Sequence, residues 1–330
     1  MLNNKITTIG GSVYDIMFYT DNILLLDNRQ DLLRQKLIAF EYGAKIYGKK
    51  VYFAFGGGGA NTAMTFASLG IKTQIITAIG EDMLGRSIME HLKKHRIATK
   101  LVQIKPQELT GISFVINVGQ GSEHVIFAVR GANDAIDLTP HIVKKINTPW
   151  LYLTALGINF KTKLDHIFEQ ARRKKIKVAW NPASQQIALG LARLKPYLEK
   201  TYVLLLNRDE ALELLSRGGK KKINNNINWL LKNLHKSGQK ITVITDGAKG
   251  AHVYDGQQVY FRPATRKKTV NTTGAGDAFG SGFVAGLIKY GSRHISKALH
   301  LGIINSGSVV TKIGAQAGIL HSKDLSKYKL

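Results

Sequence analysis

Six short runs of mostly β-branched and aliphatic residues recur along this chain, at Lys5 to Ile9, Thr73 to Gly80, Pro149 to Leu156, Ile176 to Trp180, Thr201 to Asn207 and Lys240 to Gly247. They look like buried strands, short runs whose residues favour extended backbone. The stretches between them, among them ANTAMTFASLG, MLGRSIMEHLKKH, KTKLDHIFEQARRKK, RDEALELLS and NINWLLKNLHK, space their apolar residues at helical intervals. Helices that connect such strands and cover both faces give a mostly parallel sheet of βα units. The chain is predicted to be α/β. Two segments break the rhythm, about 18–55 and about 100–129. In the second, IKPQELTGISFVINVGQGSEHVIFAV alternates apolar and polar residues, the mark of strands with one wet face. Short strands inserted into an α/β domain often form a lid, which matters where water must be kept from a reaction.

At 330 residues the chain suits one large domain, or one domain with a subdomain. Its 44% hydrophobic and 21% charged residues describe an ordinary globular protein. No apolar run approaches the roughly 18 residues that span a bilayer, and MLNNKITTIGGSVYD lacks a basic start followed by an apolar segment, so a soluble, cytoplasmic protein is expected. The absence of cysteine excludes disulfides, thiolate metal sites and cysteine nucleophiles. The formal charge of +25 would attract nucleic acid, an anionic membrane or a phosphorylated small molecule, or it is surface background. No zinc, helix-turn-helix or RNA-binding signature appears, and aromatics are not interleaved with the basic runs at Arg172 to Lys175, Lys220 to Lys222 and Arg266 to Lys268. Neither a specific nucleic-acid partner nor a membrane is expected. GGKKKINNNIN reads as an exposed insertion.

Chemistry concentrates in NTTGAGDAFGSGFVAGL, Asn271 to Leu287, where a glycine-rich turn runs straight into a helix of small residues. Gly274, Ala275 and Gly276 would present backbone N–H groups at a helix N-terminus, where orphan donors and the dipole favour an anion. Asp277 follows in the first turn, placed to accept a proton from a hydroxyl attacking that anion. A capped helix start alone would also explain the pattern. In FGGGGANTAMTFASLG, Phe55 to Gly70, four glycines precede Asn61, whose amide can hydrogen-bond a polyol. GAKIYGKK, Gly43 to Lys50, misses the P-loop pattern because Lys50 stands where a hydroxyl belongs. The dinucleotide fingerprint fails at its third glycine, where Asn61 or Thr62 stands.

In order along nearly its whole length, GGSVYD, GGGGAN, IGEDMLG, RGAN, WNPA, NRDE, TDGAKG, NTTGAGDAFGSGF and KIGAQAG make the chain resemble the PfkB or ribokinase-like family of sugar and nucleoside kinases. The resemblance implies one ribokinase-like domain over 1–330, a three-layer α/β/α arrangement with a small β-sheet lid. It implies transfer of the ATP γ-phosphoryl group to an acceptor hydroxyl, with Asp277 as base and Gly274, Ala275 and Gly276 as the anion hole. Asp15, Gly57, Gly58 and Asn61 fall on the acceptor site, and Arg130 where an acidic or phosphorylated acceptor would be met. Asn207, Thr245, Gly247, Gly250 and Asn305 fall on the ATP side, and Glu210 where Mg²⁺ is held through water.

The family's monovalent cation, K⁺, maps to Asn271, Thr273 and Gly314. Asn271 replaces the usual Asp, which leaves the cation requirement open. Ribokinases carry Lys at Gly58, and a carboxylate shortly after the strand ending in Ala155, Leu156 and Gly157, so the acceptor is not fixed as ribose. An aromatic pocket near Tyr14, Phe53 and Phe55 would favour a nucleoside instead. A sugar-sensing pseudokinase would follow from Asn271, and family lids imply a homodimer.

Overall fold

The computed structural model describes residues 4–27, 36–118, 124–217 and 224–328. Its main sheet holds nine strands: β1 (Lys5–Ile9), β6 (Lys72–Gly80), β7 (Ala98–Lys105), β10 (Trp150–Leu153), β11 (Lys177–Trp180), β12 (Val203–Asn207), β13 (Ile241–Thr245), β14 (Ala251–Tyr254) and β15 (Val259–Arg262). Their order is β15-β14-β13-β12-β11-β10-β1-β6-β7, with every pair from β13 to β7 parallel and the β13-β14-β15 edge antiparallel. The six expected strands are all present: β1 has its expected bounds, β6 starts one residue earlier, and β10, β11, β12 and β13 are shorter at their ends. A second sheet, ordered β5-β2-β8-β9, contains β2 (Val13–Thr20), β5 (Lys50–Gly56), β8 (Gly111–Val118) and β9 (His124–Val129). A hairpin of β3 (Leu24–Asp27) and β4 (Lys36–Ala39) extends from it in sequence.

Alternate residues of the central strands serve two cores. Leu151 and Leu153 of β10 and Leu204 and Leu206 of β12 pack beneath α3 (Pro140–Val143), α4 (Phe160–Arg173), α5 (Ser184–Ile187), α6 (Leu191–Leu198), α7 (Arg208–Ser216) and α8 (Ile227–His235). Trp150, Tyr152, Val203 and Leu205 point to the other face, against α9 (Ala275–Tyr290) and α10 (Ile295–Val309). On that same side α1 (Gly58–Ser68) and α2 (Met83–Lys94) cover the β6 end. This is the expected three-layer α/β/α arrangement, and full burial on both faces is why β10 and β12 read as nearly unbroken apolar runs.

The lid differs from expectation in extent. It begins at Val13, only three residues after β1 ends, while Ala98–Lys105 belongs to the edge of the main sheet as β7. β7 is an edge strand whose outer residues stay wet, so its pattern resembles a lid strand's. Within the lid, β2 pairs antiparallel with β5 but parallel with β8. GAKIYGKK is an irregular loop running into β5, with no helix after it, so it is no phosphate loop. Of the Lys- and Asn-rich stretch, 218–223 lie outside the described residues; Asn226 is exposed and caps α8.

β1 sends its chain toward β6 on one side, while β10 flanks it on the other. The carboxyl ends of β1 and β10 therefore border a topological switch point, where open α/β sheets leave a crevice. Thr154, just past β10, closes the back of it by donating both its N–H and its Oγ1 to Ile9 O, at 3.0 and 3.2 Å.

Candidate active site

Helix α9 begins at this crevice. Gly274 is its N-cap with φ 76°, and a Cβ there would lie 2.4 Å from Ala315 Cβ, so only glycine lets the turn approach the 314–318 loop. Gly276 is different. A Cβ on it would meet nothing within 4 Å, so no packing demand explains this glycine, and the space beside it is open. Of the three amides expected to gather an anion, that of Ala275 already donates to Thr272 O at 3.1 Å, a correction to the sequence reading: the turn itself consumes it.

Asp277 stands one residue further, partly accessible, with Asn61 Nδ2 donating to its Oδ2 at 2.9 Å. Burial raises its pKa, and the Asn61 hydrogen bond opposes that rise. Asn61 was expected to face an acceptor. Each end of its amide has a protein partner, since Gln316 Nε2 also donates to its Oδ1 at 3.0 Å. Gly57, with φ 90°, lets the loop before α1 pass against Gly11 O, and Gly58 sits over Thr154.

Asp15 hangs from β2 into the same crevice and is only 4% exposed. Burial pushes its pKa up to about 6, the hydrogen bond from Ser113 Oγ opposes this, and the charge of Asp277 adds to it. Two carboxylates from opposite ends of the chain thus face one space. Tyr14, Phe53 and Phe55 form a cluster with ring centroids 6.1 and 5.5 Å apart. Strand pleating puts Tyr14 on the face opposite Asp15, and Phe55 pairs directly with Tyr14, so these rings do not line the crevice beside Asp15. The expected aromatic pocket is absent from that position.

On the other side of the crevice, Asn207 caps α7: its Oδ1 accepts from Glu210 N and its N–H donates to Glu210 Oε2, both at 2.8 Å. This capping box accounts for the spacing of the pair. The box engages Glu210 Oε2; burial raises the Glu210 pKa, and the hydrogen bond from Asn207 N–H opposes that rise. Thr245 ends β13, and the turn after it carries Gly247, where a Cβ would meet nothing within 4 Å, and Gly250, where it would lie 2.1 Å from Arg262 O. Gly247 is open to a ligand; Gly250 is demanded by the turn itself. Asn305 does not reach this surface. It is fully buried, donating to Ala278 O at 2.8 Å and accepting from Leu320 N at 3.0 Å, so it joins helices rather than meeting a nucleotide.

Arg130 is engaged by Asp134 at 2.6 Å, with Lys163 bonded to Asp134 O, which leaves this arginine part-neutralised at the crevice rim. Asn271 is buried, accepts from Thr273 N at 3.0 Å and meets the lid's Tyr19 hydroxyl. Thr273 Oγ1 is buried without a protein partner, and Gly314 adopts φ 90°, where a Cβ would lie 3.2 Å from Ala54 Cβ. Sequence reasoning missed Ser113, Gln316 and His91. Gln316 lies within KIGAQAG and was findable; His91 carries no sequence signal beyond its place on an amphipathic helix.

Residues 30–322 match the model of the pfkB family of carbohydrate kinases. The chain belongs to that family. It is therefore a phosphotransferase acting on a hydroxyl group. This pfkB kinase is 29% identical to a ribokinase of Haemophilus influenzae, over 84% of its own length and 88% of the relative's. It is 26% identical to an ATP-dependent 6-phosphofructokinase of Thermoanaerobacterium thermosaccharolyticum, over 90% and 93%. Among solved structures it resembles a ribokinase from Cryptococcus neoformans in complex with ADP, with TM-score 0.78 and 24% identity over 98% and 99% of the two chains. Among the described residues no helix is long and apolar enough to cross a membrane.

Proposed function

We propose that this pfkB kinase transfers the γ-phosphoryl group of ATP to a hydroxyl of a small sugar, with Asp277 as general base. The observation that carries the reading is Asp277 at the start of α9, fixed by Asn61 at 2.9 Å, next to the open space at Gly276. Asp15, buried and facing the same space, holds the acceptor by accepting from its hydroxyls. The phosphates lie against the Gly274 and Gly276 amides, with the nucleotide over Thr245 and Gly247. As the bond to the leaving group breaks, negative charge on the transferring oxygens meets N–H donors at the helix start. Asp277 takes the proton of the attacking hydroxyl at its Oδ1, while Oδ2 stays bonded to Asn61.

Among the described residues no cluster of three metal-ligating side chains occurs, which suits an ion that takes most of its ligands from phosphate and water. Mg²⁺ at Glu210 Oε1, through water, would neutralise phosphate charge. The orphaned Thr273 hydroxyl supports a bound group beside the 271–276 turn, and K⁺ there would have only neutral oxygens, since Asn271 brings no charge. The ATP requirement supports a cytoplasmic setting. A homodimer through the lid is supported by a row of apolar side chains on the face opposite Asp15: Phe53, Ile16, Phe114 and Phe127 lie in register, with Phe53 65% and Phe127 56% exposed. Phe53→Glu should then shift a dimer to monomer in light scattering.

The acceptor is tested by ADP release from MgATP with D-ribose, 2-deoxy-D-ribose, fructose 6-phosphate and adenosine in parallel. Turnover with a sugar above that with adenosine is expected. Turnover with adenosine alone would overturn the sugar reading, and turnover with none of them would overturn this acceptor class.

A further inference from the structure

The Asn61 amide raises a question of direction. A primary amide can turn end for end at little cost, and in the turned state its carbonyl would face the carboxylate of Asp277. Something must forbid that. A carboxylate only accepts, so Asn61 must give Nδ2 to Asp277, which turns Oδ1 away. Gln316 Nε2 meets that oxygen at 3.0 Å. Gln316 then presents Oε1 to His91 Nε2 at 2.8 Å, and since an amide oxygen only accepts, His91 must carry its proton on Nε2.

The polarity of the whole chain is thus dictated from the Asp277 end. His91 is itself fixed, its ring stacked on Phe55 with centroids 4.0 Å apart and planes 18° off parallel. Phe55 lies next to the end of β5, the lid strand that continues through the glycine loop into α1 and on to Asn61. The four side chains therefore close a loop through β5, α1, the 314–318 segment and α2.

We infer that Gln316 and His91 are positioning residues for the base, holding the Asn61 amide in the single orientation that presents Nδ2 to Asp277. This rests on the reading of Asp277 as general base. Neither residue touches the reacting atoms. Burial lowers the His91 pKa, which keeps the ring neutral near pH 7 and suits a single-proton tautomer. Both Gln316 and His91 are half-buried at the surface of the cluster, so each tolerates replacement better than Asn61, which is 5% exposed.

Gln316→Met keeps the length of the side chain and removes both hydrogen bonds. Gln316→Glu keeps an acceptor for His91 and removes the donor to Asn61. With MgATP and whichever of D-ribose, 2-deoxy-D-ribose or fructose 6-phosphate turns over fastest, both are expected to lower kcat about tenfold, the scale of one net hydrogen bond, with KM for ATP within about twofold. His91→Phe keeps the stack on Phe55 and should lower kcat less. Nitrogen NMR of the His91 ring should show the Nε2–H tautomer in the parent protein and its loss in Gln316→Met.

Wild-type kcat in both Gln316 variants overturns the inference, as does a loss of melting temperature with kcat unchanged. Asp277→Asn run alongside separates the two readings. If it is inactive while the Gln316 variants are normal, only the positioning role fails; if it keeps its rate, the base assignment itself is wrong. Should Gln316→Met not fold, the Gln316→Glu and His91→Phe variants decide.

Discussion

Asn61 and Asp277 are 216 residues apart in sequence and 2.9 Å apart in the fold, joined by a hydrogen bond from Nδ2 to Oδ2. The contact joins the first helix after the lid to the start of α9, and it engages one oxygen of the Asp277 carboxylate. In the free protein, Asp277→Asn removes the proton acceptor without changing shape. Its kcat should fall by about 10² to 10⁴ while calorimetric binding of a non-hydrolysable ATP analogue stays within about threefold. A variant that keeps its rate would end the base assignment.

Asp15 makes the free protein's stability depend on pH. Its folded pKa is raised from 3.8 to about 6, mainly by burial, so the folded state holds this proton more tightly than the unfolded state. Stability from this group is therefore full below about pH 4 and declines as pH rises to about 6, by on the order of 3 kcal/mol at most. Asp15→Asn should raise the melting temperature at pH 7.5 by a few degrees, with the gain shrinking toward pH 4, and should weaken acceptor KM by tenfold or more. Equal melting temperatures at pH 7.5 would contradict the burial argument.

Two glycines should behave oppositely. Gly276→Ala places a methyl in open space on a helix, where alanine is favoured by about 1 kcal/mol, so melting should be unchanged or slightly higher while kcat falls at least tenfold as the methyl intrudes on the phosphoryl space. Gly250→Ala puts a Cβ 2.1 Å from Arg262 O at φ 114°, so it should lose several degrees of melting temperature. Circular dichroism melts beside steady-state rates read both.

Asn207→Ala should cost about 1 kcal/mol through loss of the α7 cap, and Asn207→Ser should restore most of it, because serine also caps. Thermal melts compare the two, with ATP-analogue affinity measured on each. Full stability in Asn207→Ala would mean the capping box carries nothing.

The central strands and long helices were legible because their burial is dictated by their own neighbours in sequence: β10 and β12 must hide both faces, and α4 and α8 carry a stripe. The helix start at Gly274 and the acid after it were legible for the same local reason. The edge strand β7 was read into the lid because an edge strand, like a lid strand, keeps a wet side. The capping box between Asn207 and Glu210 was not legible without the backbone geometry, nor was the burial of Asn305, because burial cannot be told from composition in a helix of small residues.

By itself the sequence determined the α/β architecture, the glycine-rich helix start at Gly274 and the presence of Asp15, Asn61 and Asp277. Tertiary structure alone decided that Asn61 serves Asp277, that Gln316 and His91 stand behind it, and that Tyr14 faces away from Asp15. Local periodicity fixes which face of an element is buried, whereas hydrogen bonds between side chains depend on angstrom-scale placement of elements that meet only when the sheet has closed and the lid has folded over it.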